Sequence, residues 1–135
     1  MVPMAVKARE FRYAIDLHAG GTLRAEDGTE LVVDQAWTPE HLLLAALVRC
    51  TLTSLRYHAR RAEIEVADAK GHARAMFTRR ESDNRFAIVE CEVELSVRLL
   101  PQPGHEERSK LFADAENDCF VGASLTVKPT YRWRS

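Results

Sequence analysis

Thr38-Pro39-Glu40-His41-Leu42-Leu43-Leu44-Ala45-Ala46-Leu47-Val48-Arg49-Cys50 is the stretch whose reading decides the fold, and it runs on to about Arg61 as one long helix. Thr38 is a good N-cap. Pro39 suits the first helical position because its missing N–H would find no helical acceptor there, and Glu40 stands where the helix dipole favours negative charge. From Leu42 to Val48 every residue is apolar. Such a segment has no solvated stripe and is expected to be enclosed by protein on all sides. One small sheet cannot enclose it, so a second copy of the chain is expected to supply cover. Arg49, Arg56, Arg60 and Arg61 make the second half of the helix basic.

Working outward, the chain before the helix reads as three short antiparallel strands. Phe11, Tyr13, Ile15 and Leu17 alternate with Arg12, Ala14, Asp16 and His18, the period of a half-buried strand. Gly20-Gly21 marks a turn, and the runs Thr22 to Glu26 and Thr29 to Asp34 flank Asp27-Gly28, a hairpin signal. After the helix, Ile64 to Thr78 reads as a strand with a bend near Gly71. Ser82-Asp83-Asn84 turns the chain. The next strand has Val89, Cys91, Val93, Leu95, Val97 and Leu99 on its inward face.

Pro101-Gln102-Pro103-Gly104 ends that strand, and His105 to Ala115 has helical periodicity, with a Glu106 and Lys110 pair on its outer side. Asn117-Asp118 is cap-like, which places Cys119 at or just before the first turn of a short helical segment reaching Ser124. Leu125, Val127, Tyr131 and Trp133 then alternate with polar residues as a last strand, which Pro129 assigns to an edge or a bulge. Strands outnumber helices and the hairpins are antiparallel. The fold class is therefore α+β.

The 135 residues are expected to form one domain, 1–135, around a single core. Nineteen Lys and Arg against twenty Asp and Glu leave a net charge of −1, so no overall field points to nucleic acid or a membrane surface. No apolar run approaches the roughly 20 residues that span a bilayer, and Met1 to Lys7 lacks the apolar core of a signal peptide, so the expected location is the cytoplasm. Three cysteines form no Cys-x-x-Cys pair and the five histidines are scattered, so neither a disulfide framework nor a metal site is expected, and no cofactor.

A thiol becomes nucleophilic when a helix N-terminus or a cation stabilises its thiolate. Cys119 could use the start of its short helical segment. Cys50 lies more than three turns into its helix, and Arg49 points about 100° away from it, so a cation must come from elsewhere. Glu40 is ten positions before Cys50, about 15 Å along the axis. A partner's antiparallel helix could bring its Glu40 close to Cys50. Against this chemistry stands the plain alternative that a helical cysteine fills space; Cys91, between Val89 and Val93, is read that way.

The segment Thr38 to Thr51 resembles the signature helix of the OsmC and organic hydroperoxide resistance (Ohr) family, with Pro39-Glu40 near the start and Cys50 at the spacing of the family's reactive cysteine. Cys119-Phe120-Val121-Gly122-Ala123-Ser124-Leu125 resembles the segment of its second cysteine, and the element order agrees over nearly the whole chain. The resemblance implies an OsmC-like fold, antiparallel sheets packed around a long central helix, in an intertwined homodimer. It further implies a peroxidase of the oxidative stress response. Cys50 would attack an organic hydroperoxide, Cys119 would resolve the sulfenic acid as a disulfide, and a dithiol reductant, in the Ohr branch a dihydrolipoyl carrier, would restore both thiols.

The chain departs from that pattern in three places. Ohr proteins carry an arginine directly after the Gly-Gly of the first loop, whereas Thr22-Leu23 follow Gly20-Gly21 here and the nearest arginine is Arg24, either a displaced substitute or a solvated strand residue. Phe120 stands where proline often follows the second cysteine. The loop before the helix is cut down to Gln35-Ala36-Trp37. These departures keep open a non-catalytic OsmC-like dimer that binds a small apolar ligand or senses oxidation.

Overall fold

The structure, a computed structural model, describes residues 8–135; Met1 to Lys7, on which the expected lack of a signal peptide rests, lie outside them. The chain forms two compact units, Met1–Thr38 and Pro39–Ser135.

The first unit is a three-stranded antiparallel ribbon of β1 (Ile15–Leu17), β2 (Leu23–Ala25) and β3 (Glu30–Leu31) in sequential order. Gly21 (φ 88°) and Gly28 (φ 91°) occupy the left-handed positions of its two turns, where a Cβ would be strained. The second turn is a three-residue loop, Glu26 to Gly28, closed by Ala25 N–H to Thr29 O at 2.9 Å. The first strand is shorter than its alternation predicts. Tyr13, Ile15 and Leu17 are 76, 67 and 69% exposed, since a ribbon of two- and three-residue strands has no second layer of its own to cover that face.

The second unit begins with α1 (Pro39–Arg61), as the sequence predicts. Its end is a Schellman motif with Glu63 in the left-handed conformation (φ 60°): Ile64 N–H reaches Ala59 O at 2.8 Å and Glu63 N–H reaches Arg60 O at 3.1 Å. Two long strands follow, β4 (Glu65–Arg79) and β5 (Phe86–Leu100), paired antiparallel; then α2 (His105–Asn117), the single turn α3 (Phe120–Ala123) and β6 (Thr130–Arg134). The strand order is β4-β5-β6. Because α2 and α3 carry the chain back along the sheet, β6 runs parallel to β5, and it lies at an edge as Pro129 suggests.

Cys91, Val93, Leu95, Val97 and Leu99 of β5 are buried on one face, in agreement with the alternation. Val89 departs from it. Met76 pairs with Glu90 and Phe77 with Ile88, so Val89 is the extra residue of a bulge and Ile88 takes the inward place. A second bulge at Ala67 interrupts β4, whereas pairing continues through Gly71. Gly71 serves a close approach instead of a bend: a Cβ there would meet Leu95 Cδ2 and Val48 Cγ1, each at 2.8 Å. Lys110 pairs with Asp114 at 2.6 Å rather than with Glu106, and this ammonium holds the Asp114 carboxyl below its ordinary range.

Two apolar clusters hold this unit together. Leu55 and Ala59 of α1 pack with Val97, Leu99, Leu111, Phe112 and Ala115, while Leu47 packs with Ile88, Cys91, Val93, Leu95 and Cys119. The front of α1 is less enclosed than its composition predicts. Leu42 to Ala46 are only half-buried, because a single chain offers that helix one sheet and two helices.

Candidate active site

Cys50 and Cys119 are 69 positions apart in sequence, yet the fold brings both thiols to the same turn. Cys119 caps the N-terminus of α3 with an extended backbone (φ −76°, ψ 111°), and its Sγ accepts the Gly122 N–H at 3.4 Å. The neighbouring Val121 N–H points at Cys50 Sγ, also at 3.4 Å. Cys119 is fully buried and Cys50 half-buried. Both are free thiols, as is the buried Cys91.

Burial pushes the Cys50 thiol above its ordinary value, the Val121 N–H pulls it down, and the Cys119 sulfur raises it again. The site as formed by this unit therefore favours the neutral thiol. Thr51 is fully buried beside the pair, with Oγ1 2.9 Å from Leu47 O and 3.4 Å from Cys119 Sγ. Leu43, Leu44, Leu47 and Val48 belong to the same apolar cluster as these two cysteines.

The loop that carries Cys119 is fastened to α1 on its other side. His58 Nε2 lies 2.7 Å from Asp118 Oδ2, and Trp133 Nε1 donates to Glu116 Oε2 at 2.8 Å. Phe112 and Trp133 stack with ring centroids 4.3 Å apart, anchoring α2 to the edge strand. Thr51, His58 and Tyr131 were not marked by sequence reasoning: Thr51 only closes the signature segment, His58 carries no motif, and Tyr131 appears only as one apolar position in an alternation.

The other two expected site residues are placed differently. Glu40 is exposed in the first turn of α1, far along the axis from Cys50 on its own helix. Arg24 belongs to the first unit, where its guanidinium pairs with Glu30 at 2.6 Å across β2 and β3. Among the described residues no three His, Cys, Asp or Glu side chains converge as a metal site. Among the same residues no helix is long and apolar enough to cross a membrane.

The family model of the OsmC-like proteins matches residues 32–133. The chain belongs to the OsmC-like protein family. No curated protein matches it. Among solved structures, the chain is similar to an OsmC-like protein of unknown function from Vibrio cholerae, at TM-score 0.70 and 15% identity over 83% of this chain and 82% of the other. It is similar to an organic hydroperoxide resistance protein from Elizabethkingia anophelis, at TM-score 0.67 and 17% identity over 96 and 99% of the two chains. It is also similar to the organic hydroperoxide resistance protein OhrB of Bacillus subtilis, at TM-score 0.63 and 20% identity over 92 and 98%. These likenesses establish the mixed α and β fold.

Proposed function

We propose that this protein is a thiol peroxidase that reduces organic hydroperoxides, a single OsmC-like domain over residues 1–135 that works as a homodimer in the cytoplasm. The observation that carries the reading is the juxtaposition of two free thiols on one short turn, each taking a backbone N–H from the same pair, Val121 and Gly122. Two of the similar structures are named as organic hydroperoxide resistance proteins.

The chemistry balances with these two sulfurs alone. The Cys50 thiolate attacks the outer peroxide oxygen, the O–O bond breaks, and the alkoxide takes a proton to leave as an alcohol. Cys50 is then a sulfenic acid. The Cys119 sulfur attacks it, an S–S bond forms as the S–O bond breaks, and hydroxide leaves as water with the proton lost from Cys119. An external dithiol, such as a dihydrolipoyl carrier, returns both thiols. The apolar cluster against which Cys50 packs suits the hydrocarbon of an alkyl hydroperoxide.

A raised Cys50 pKa needs a cation to offset it, and we assign that part to Arg24, with Glu40 of the partner's helix orienting it. The half-buried front of α1 and the exposed Ile15, Leu17 and Val32 support dimerisation, since all are apolar surfaces that a second copy would cover. A second reading is favoured by one observation. Arg24 is engaged with Glu30, which fits a non-catalytic dimer that binds a small apolar ligand or senses oxidation without turnover.

One experiment separates them: intact mass and free-thiol count on reduced protein after one equivalent of cumene hydroperoxide, beside Cys50→Ser and Cys119→Ser. The peroxidase reading expects rapid loss of two thiols to a Cys50–Cys119 disulfide, and a stalled oxidised Cys50 in Cys119→Ser. Survival of all thiols, or oxidation at the rate of free cysteine, overturns it.

A further inference from the structure

Tyr131 stands on β6 opposite Val93 of β5, on the side of the sheet that carries the core. Its hydroxyl is buried and has no hydrogen-bond partner. Buried polar atoms are nearly always paired, so an orphan of this kind calls for an explanation. Its surroundings supply one. A Cβ placed on Gly122 would lie 2.9 Å from Tyr131 Oη and 3.4 Å from Cys119 Sγ, so the hydroxyl and the sulfur flank one point on α3.

The other donors near Cys119 are already committed. Thr51 has one hydroxyl proton and two acceptors, and the Leu47 carbonyl at 2.9 Å is the nearer. In the reduced state the Cys119 S–H can donate to Thr51 Oγ1, and the sulfur needs only the Gly122 N–H. Once Cys119 ionises, it ceases to donate and becomes a strong acceptor. We propose that Tyr131 is the hydrogen-bond donor for closure of the disulfide: its hydroxyl turns to the Cys119 thiolate and stabilises it while that sulfur attacks the oxidised Cys50. The proton stays on the phenol throughout.

This deepens the peroxidase reading and rests on it. Burial pushes the Tyr131 phenol up to about 12, so it remains a donor at any working pH. The titratable groups that act on Cys119 or on Tyr131 are Cys50 on α1, beside Cys119, and Glu116 on α2, which acts on Tyr131, with Cys91 in the same cluster on β5. None of them is a cation, which leaves hydroxyl and N–H donors as the source of thiolate stabilisation in this unit.

The test is an NMR titration of Cys119 in protein labelled with 13C at cysteine Cβ, in a Cys50→Ser background, with and without Tyr131→Phe. The expected result is a Cys119 pKa higher by about one unit in Tyr131→Phe, a tenfold smaller thiolate fraction at a fixed pH, because a hydrogen bond to a charged group is worth that much. Equal pKa values in the two proteins overturn the proposal, and no peroxide chemistry enters that comparison. In the otherwise native chain, Tyr131→Phe is expected to let a Cys50 sulfenic acid accumulate after cumene hydroperoxide, with closure slowed about tenfold by the same thiolate loss. If peroxide leaves every thiol intact, the peroxidase reading fails while the titration still decides the donor. A second probe keeps the hydroxyl: 3-fluorotyrosine at position 131, with Tyr13 and Tyr57 changed to Phe, is a stronger donor and is expected to lower the Cys119 pKa. An unchanged or raised value counts against the proposal.

Discussion

Gly122→Ala is the substitution that tests the packing of the site most directly. Gly122 lies inside α3, where alanine by itself would be favoured by up to about 1 kcal/mol in helix propensity. Against this, the new methyl would sit 2.9 Å from Tyr131 Oη, 3.4 Å from Cys119 Sγ and 3.6 Å from Leu47 Cδ1. The first distance is several tenths of an ångström inside a normal carbon–oxygen contact, and the Tyr131 ring packs against the core cluster, which restrains its withdrawal. The relief must come from α3, at a cost typical of overpacked sites of about 1–3 kcal/mol. The net expectation is destabilisation by about 1 kcal/mol, together with loss of the Val121 N–H contact to Cys50 and slower disulfide formation. Urea denaturation of the reduced protein measures the first, and rapid-quench thiol counting the second. Adding Tyr131→Phe removes the clashing oxygen, so the double mutant should recover part of the loss as a coupling of at least about 0.5 kcal/mol. A Gly122→Ala protein as stable as wild type, with no coupling to Tyr131, would refute this account of how α3 is seated.

Four further outcomes are expected. Burial and the neighbouring sulfur hold the Cys50 thiol up, so in Arg24→Ala, which removes the cation assigned to it, peroxide-dependent thiol loss should rise with pH through the alkaline range, tenfold per unit until the folded pKa is reached; a flat profile above neutrality would contradict it. The same raised pKa means that stability is complete below the unfolded thiol value and falls as pH rises through the folded one, which urea midpoints across that window will register. Leu47→Ala empties a fully buried position in the cluster that holds Cys119 and should cost about 2–5 kcal/mol in the same assay. His58→Ala removes the 2.7 Å link to Asp118 and should cost about 1 kcal/mol while slowing disulfide closure, since that link fastens the residue before Cys119.

The long helix, the three-strand opening, the paired long strands and the α+β class were legible because each depends on local periodicity and on turn residues that act within a few positions. Cys119 at the head of a short helical turn was legible for the same reason, through Asn117-Asp118 before it. Cys91 could be assigned to the core from its neighbours Val89 and Val93, although Val89 itself belongs to a bulge that no local signal marks. The direction of β6 was not readable, since a strand's alternation is the same whether its neighbour runs with it or against it. Nor was the part played by Gly71, which answers to Val48 and Leu95 on other elements.

The sequence by itself determined which elements form and marked two cysteines by their place in those elements, because helix caps, strand alternation and turn glycines are decided by residues close in the chain. Only the tertiary structure decided that Cys50 and Cys119 share one turn, that Thr51 and the unpaired Tyr131 hydroxyl lie beside Cys119, and that Arg24 is engaged with Glu30. The pairing of Arg24 needs the register of β2 on β3; the others join distant residues, Cys50 and Val121 being 71 positions apart, and exist only once α1, α3 and β6 are packed together and their buried polar atoms must find partners or go without.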